Sequence, residues 1–254
     1  MNNKCGSAIA ILAGAVILVS AACYNGFPTV YSDTSTYLAS GFELGTPFDR
    51  PITYGLFLRL ASLDGFSMWP IVLLQGLIVS YLIWLTCAWL LRSASVKLHL
   101  LVIAALTICL SLSWVVSQIM PDIFTPIMVL AFILLTSGSL QRGNKALVFV
   151  IYTVSCCMHL SHPLYGFGLI VIALLMHAFL ARSMRRVIDV RSLIILLGLT
   201  GASILSMGAA MSKSRSIFFM GAMAEHGILK TFLDEKCPTD YRLCALKDSI
   251  PARA

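Results

Sequence analysis

The side chains in this sequence that could do chemistry lie at the borders of apolar runs. Asp33 stands in Ser32-Asp33-Thr34-Ser35-Thr36-Tyr37-Leu38-Ala39. It is four residues ahead of Tyr37, a spacing that puts both on one helical face. Asp49-Arg50 follows, then Pro51-Ile52-Thr53-Tyr54. Asp122 is the only acid between Asp64 and Asp189, and His159 and His162 sit three apart in MHLSHPLYG. A carboxylate can take a proton from an acceptor hydroxyl or amine. An arginine can grip a phosphate with two parallel hydrogen bonds. Each residue also has a structural role open to it: Ser32 or Asp33 could cap a short helix ended by Gly41, and Asp122 could cap the helix after it. No Cys or carboxylate stands at metal-ligand spacing beside the two histidines, so hydrogen bonding or contact with an anionic group is expected there rather than zinc. His99 and His177 are expected to be structural.

The chain has no Walker loop, no G-x-G-x-x-G after a strand, no H-E-x-x-H and no G-x-S-x-G. ATP-driven transport and nucleotide chemistry of the soluble type are therefore unsupported.

The elements that must position these residues are membrane spans. Hydrophobic residues make up 59% of the chain and charged ones 11%, with a mean hydropathy of +0.90. A soluble domain carries roughly a quarter charged residues. A crossing helix needs about 20 mainly apolar residues. The runs are Ala8 to Cys23, Trp69 to Leu91, Leu98 to Val116, Ile123 to Thr136, Ala146 to Leu160, Leu164 to Ala181 and Ser192 to Met211. The expected fold is all-α, a polytopic transmembrane helix bundle of about seven spans, with six as the alternative. Residues 1–211 form the membrane domain, 24–68 its first external loop and 212–254 an extracytoplasmic amphipathic tail. A second short helix is expected from Pro51, with Tyr54, Leu58 and Ala61 on one side.

Loop charges set the sidedness. With Lys4 in the cytoplasm, the loops on that side carry Arg92, Lys97, Arg142, Lys145, Arg182, Arg185, Arg186 and Arg191 as well, nine basic residues against one acid, Asp189. The other side holds nine basic residues and ten acids. The positive-inside rule then favours a multi-pass protein of the inner (plasma) membrane, N-terminus cytoplasmic and C-terminus extracytoplasmic. Asp33, Arg50, Asp122, His159 and His162 all fall outside. The net charge of +7 is scattered among short loops, so the expected partner is the lipid bilayer and not nucleic acid. Ala21-Ala22-Cys23 is somewhat like a lipoprotein cleavage site, but Ser20 stands where a larger aliphatic residue is wanted. Either outcome leaves Tyr24 onwards outside.

Six cysteines (Cys5, Cys23, Cys87, Cys109, Cys156, Cys157) lie in or near apolar runs and are expected to act as small buried hydrophobes. Cys237 and Cys244 lie in the polar tail, where an oxidising compartment would let a disulfide persist.

The Ser32–Ala39 stretch and Arg50-Pro51-Ile52-Thr53-Tyr54-Gly55-Leu56-Phe57-Leu58 resemble the first external loop of GT-C-type glycosyltransferases, multi-span enzymes that use polyprenyl-phosphate sugars. The region from Ser117 to Leu135, with Pro121-Asp122, is similar to their second acidic region. The resemblance covers about the first 180 residues. It implies that Asp33 is the catalytic base and that Asp122 assists. Arg50 is read from its charge as a donor-phosphate contact, with Tyr37, Tyr54, His159 and His162 as further substrate contacts and a divalent cation shared by the acids as an option. The tail, with His226-Gly227, Phe232-Leu233, Cys237 and Tyr241-Arg242-Leu243-Cys244, resembles uncharacterised bacterial multi-span membrane proteins. The alternative functions are a non-catalytic assembly partner, a truncated or degenerate family member, or a small-solute transporter; nearly charge-free span interiors weigh against transport.

Overall fold

The computed structural model describes residues 2–47, 49–92, 95–179, 188–207, 217–237 and 241–249. Arg182, Arg185, Arg186 and the boundary at Met211 and Ser212 lie outside the described residues. Among the described residues, all regular structure is helical. The helices are α1 (Asn2–Leu18), α2 (Ser20–Asn25), α3 (Ser32–Phe42), α4 (Thr53–Ala61), α5 (Trp69–Leu90), α6 (Val96–Leu110), α7 (Leu112–Val116), α8 (Phe124–Thr136), α9 (Arg142–Met158) and α10 (His162–Phe179). They continue with α11 (Val190–Ser206), α12 (Ile217–Glu225) and α13 (Ile228–Lys236).

Two of them, Trp69–Leu90 and His162–Phe179, are long and apolar enough to cross a bilayer. Shorter apolar helices are Gly6–Leu18, Val96–Leu110, Pro121–Thr136 and Val190–Ser206. Several expected runs are interrupted. Ala8 to Cys23 divides at Val19 into α1 and α2. Leu98 to Val116 breaks at Ser111, which adopts φ 55°. A residue in that left-handed region cannot continue a right-handed helix. Pro121–Ile123 forms a 3-10 turn before α8. Pro126 sits in the first turn of α8, where the missing N–H has no helical acceptor to lose.

Helix α1 packs on α5 and α6, α8 on α9, and α10 on α11. Leu18, Ile71, Leu82, Ile103, Met128, Leu134 and Tyr152 are fully buried between them. Large apolar side chains also face outward, among them Ile9, Leu12 and Val16 on α1 and Leu174 and Leu175 on α10. Helices apolar on every side call for either a protein core or lipid around them. The cysteine expectation is corrected in part: Cys87, Cys156 and Cys157 are buried, but Cys23 and Cys109 are exposed.

Helices α3 and α4 pack tightly on each other at one end of the bundle. Their contact is Gly41 against Gly55, where a Cβ on either would collide with the backbone of the other helix. Gly41 therefore serves close approach, and Phe42, not Gly41, ends α3. The capping expectation also changes. Tyr31 is the N-cap, and its N–H donates to Thr34 Oγ1 at 2.9 Å, leaving Ser32 and Asp33 in the first turn. An acid in that turn interacts favourably with the helix dipole. Helix α4 begins at Thr53, two residues after Pro51, and buries Tyr54, Leu58 and Ala61.

Candidate functional site

Two segments far apart in sequence build the platform on which the acids stand. Thr29 pairs with Gln118 in an isolated parallel bridge. The Thr29 N–H donates to Ser117 O and the Ile119 N–H to Thr29 O, each at 2.9 Å. Thr34 Oγ1 donates to Ile119 O at 3.1 Å, and the Ala22 N–H to Ser117 Oγ at 3.0 Å. Beneath them lies Gln75, fully buried in the middle of α5. Its Nε2 donates to the carbonyls of Val116 (2.9 Å) and Gln118 (3.0 Å), and its Oε1 accepts from Tyr54 Oη at 3.0 Å. One amide thus satisfies the last carbonyl of α7, a loop carbonyl and a phenol beside an apolar helix, where each would otherwise cost its desolvation energy.

Arg50 is the hub of the charges above this platform. Its Nη1 lies 3.2 Å from Asp33 Oδ2, and its Nε donates to Asp49 Oδ2 at 2.9 Å. The guanidinium carbon sits 4.9 Å from the centroid of Tyr37. Only 15% of the Arg50 side chain is exposed, against 50% for Asp33. Nη1 approaches Asp33 as an ion pair without hydrogen-bond geometry. The hydrogen bond from Arg50 holds the Asp49 carboxyl below the usual carboxylate range. Burial pushes the Tyr37 phenol up to about 12 against the opposing pull of Arg50, and burial also raises Tyr54 well above its ordinary value. The charge of Asp122, an exposed residue at the start of the 3-10 turn, acts on both tyrosines and on His159.

The expected site residues therefore gather at one end of the bundle, but not all with open faces. Asp33, Asp122 and the half-buried His159 remain accessible. Tyr37 and Tyr54 are corrected to supports: both are buried, Tyr37 under Arg50 and Tyr54 edge-on to it with centroids 5.0 Å apart. His162 is likewise buried, with Nδ1 donating to Ser155 O at 2.7 Å and Nε2 2.8 Å from the Thr125 hydroxyl. Both ring nitrogens being engaged, it ties α8, α9 and α10 together and has nothing left for a ligand. Thr29, Thr34 and Gln75 had not been singled out as site residues. Gln75 could have been noticed as a lone amide within a 22-residue apolar helix.

A groove of about 380 Å³ opens beside this end of the bundle. Its walls include Phe57, Leu77, Ile78, Phe124 and Val150. Phe57 stacks on Tyr54 and meets Phe124 edge-on, and Tyr54 in turn meets Tyr37, so two tyrosine rings separate the groove wall from Arg50. For a divalent cation the donor set does not fit: Asp33 and Asp49 face Arg50, and the described residues contain no group of three or more potential ligands.

At the opposite end, Lys145 Nζ meets Asp189 Oδ2 at 2.7 Å. Asp189 also caps α11 by accepting from the N–H groups of Arg191 and Ser192, and its own N–H donates to Thr136 O. Its carboxyl is lowered to about 2, chiefly by the Lys145 hydrogen bond. In the tail, Cys237 and Cys244 are joined by a disulfide with Cα atoms 5.8 Å apart.

Compared with family models, curated proteins and solved structures, the chain finds no match in any of the three.

Proposed function

We propose that this chain is a multi-span membrane glycosyltransferase that moves a sugar from a polyprenyl-phosphate donor to an acceptor on the extracytoplasmic side. The observation that carries the reading is Asp33: half exposed, anchored at the start of α3 and paired with a largely buried arginine, while a second acid, Asp122, acts on the same Tyr37 that lies under that arginine. In this reading Asp33 removes the acceptor proton as its oxygen attacks the anomeric carbon. The bond from that carbon to the phosphate oxygen breaks, and polyprenyl phosphate leaves with the electron pair. Arg50 stabilises the growing phosphate charge by exchanging its loose Asp33 contact for the leaving oxygen. Asp122 assists by orienting the acceptor. The apolar groove ending at Phe57 suits a prenyl chain.

The topology belongs to the same proposal: about seven spans in the inner membrane, N-terminus in the cytoplasm and tail outside. The segregation of Asp33, Arg50, Asp122 and His159 from Lys145 and Asp189, at opposite helix ends, supports it. The test is to place the full chain in membranes with radiolabelled polyprenyl-phosphate sugars and compare wild type with Asp33→Asn. Transfer by wild type and its loss in the variant is expected. Transfer that survives the substitution unchanged overturns the mechanism, and no transfer with any donor points to an assembly partner instead.

A further inference from the structure

His159 and His162 lie three residues apart with ring centroids 5.5 Å from each other, yet their hydrogen bonds give them opposite tautomers. His162 Nδ1 faces the Ser155 carbonyl, which can only accept, so its proton is on Nδ1. At His159 the backbone N–H of Ser161 points at Nδ1 from 3.3 Å. A backbone N–H can only donate, so Nδ1 must present its lone pair. The Ser161 hydroxyl, 2.9 Å from the same nitrogen, adds a second donor. The proton of the neutral ring is thereby placed on Nε2, and among the described residues Nε2 has no hydrogen-bond partner.

The residue stands after the last turn of α9 in extended conformation (φ −143°), half-buried, its ring next to that of His162, which bonds Thr125 three residues beyond Asp122. An N–H fixed on Nε2 at the end of the bundle that carries Asp33, Arg50 and Asp122 is a donor available to an acceptor oxygen of a ligand.

We infer that His159 is held as the neutral Nε2–H tautomer by Ser161, and that Nε2 donates its hydrogen bond to a phosphate oxygen of the lipid-linked donor, on the oxygen that becomes the leaving group. The inference rests on the transferase reading. No proton changes hands: the hydrogen bond shortens as charge accumulates on the departing oxygen, while the acceptor proton goes to Asp33. Ser161 is then a positioning residue, because its N–H selects which nitrogen carries the proton.

The experiment uses the full chain in lipid nanodiscs with polyprenyl phosphate, the leaving group itself, as the probe. Glutamine places an amide N–H near the Nε2 position, whereas asparagine reaches only as far as Nδ1. His159→Gln is expected to bind within about threefold of wild type and His159→Asn about tenfold to hundredfold more weakly, as for one lost hydrogen bond to a charged group. Nitrogen-15 NMR of histidine-labelled protein, with His159 assigned by difference against His159→Gln, is expected to report an Nε2-protonated ring. A ring protonated on Nδ1, or equal binding by the glutamine and asparagine variants, overturns the inference while leaving the transferase reading intact. Absence of polyprenyl phosphate binding by wild type overturns both.

Discussion

The Arg50 guanidinium lies over the ring of Tyr37, 4.9 Å from its centroid, so a buried phenol forms the floor beneath the arginine of the Asp33–Asp49 cluster. Cation–π attraction of this kind contributes about 0.5–2 kcal/mol, more where water is excluded. Arg50→Lys would keep the charge but lose the planar stack and the fork onto Asp49 and Asp33. Transfer activity is expected to fall at least about tenfold in this variant, the equivalent of one charge-assisted hydrogen bond. A radiolabel transfer assay across the two proteins checks it, and undiminished transfer would show that charge alone suffices.

Gln75 gives a prediction in stability. Gln75→Leu leaves the Val116 and Gln118 carbonyls and the Tyr54 phenol without their partner. Each buried orphan costs about 1–3 kcal/mol, so a loss of about 2–4 kcal/mol is expected after relaxation. Tyr54→Phe removes only one of the three bonds and is expected to cost about 1 kcal/mol. The pair should be non-additive in a double-mutant cycle read by thermal unfolding in detergent, since both changes break the same bond.

Gly41→Ala is expected to force α3 off α4, because its new Cβ would meet the Gly55 carbonyl. Overpacking of this sort costs about 1–3 kcal/mol. Gly45→Ala, where a Cβ meets nothing, is the control and should leave the melting temperature within about 1 °C. Equal melting of both variants would mean the two helices can separate freely.

Much of the candidate site was legible from sequence because helical spacing and charge are local properties. The four-residue step from Asp33 to Tyr37 and the run from Arg50 to Tyr54 needed only a helix and a turn to bring them together, and α3 and α4 supply these. What spacing could not reveal was which side chains face inward. Tyr54 looked like a contact for substrate and is instead sealed in the core by Gln75, a partner 21 residues away. The Thr29–Gln118 bridge was hidden for the same reason, since nothing in either stretch advertises a pairing across some 90 residues. The break at Ser111 depends on backbone conformation and not on composition, as the apolar run continues through it.

A pH prediction follows from Asp189. Its folded carboxyl is lowered to about 2, below the ordinary carboxylate value of 3.8. A depressed acid stabilises the fold above its unfolded value and loses that contribution as pH falls through its folded one. The contribution is therefore fully present at neutral pH and disappears between about pH 4 and pH 2. Asp189→Asn is expected to lower the melting temperature at pH 7 and to narrow the gap to wild type as the pH approaches 2. A gap that is constant with pH would assign the residue a capping role alone.

For the tail, reduction of Cys237–Cys244 is expected to change its gel mobility and protease sensitivity while the melting of the helical bundle stays unchanged, because the bridge joins cysteines only seven positions apart. Coincident loss of both would mean that the tail is part of the bundle's cooperative unit.

The hydrogen bonds between the Thr29–Thr34 region and residues 117–119 also impose an order on biosynthesis. When a ribosome has delivered α3 and α4, Asp33 rides on a segment whose clamps have not yet been made; the acceptor carbonyl for Thr34 comes 85 residues later. The platform can close only after the chain has returned with Gln118, so a nascent chain halted before that point carries every residue of the Arg50 cluster but lacks the clasp that aligns them.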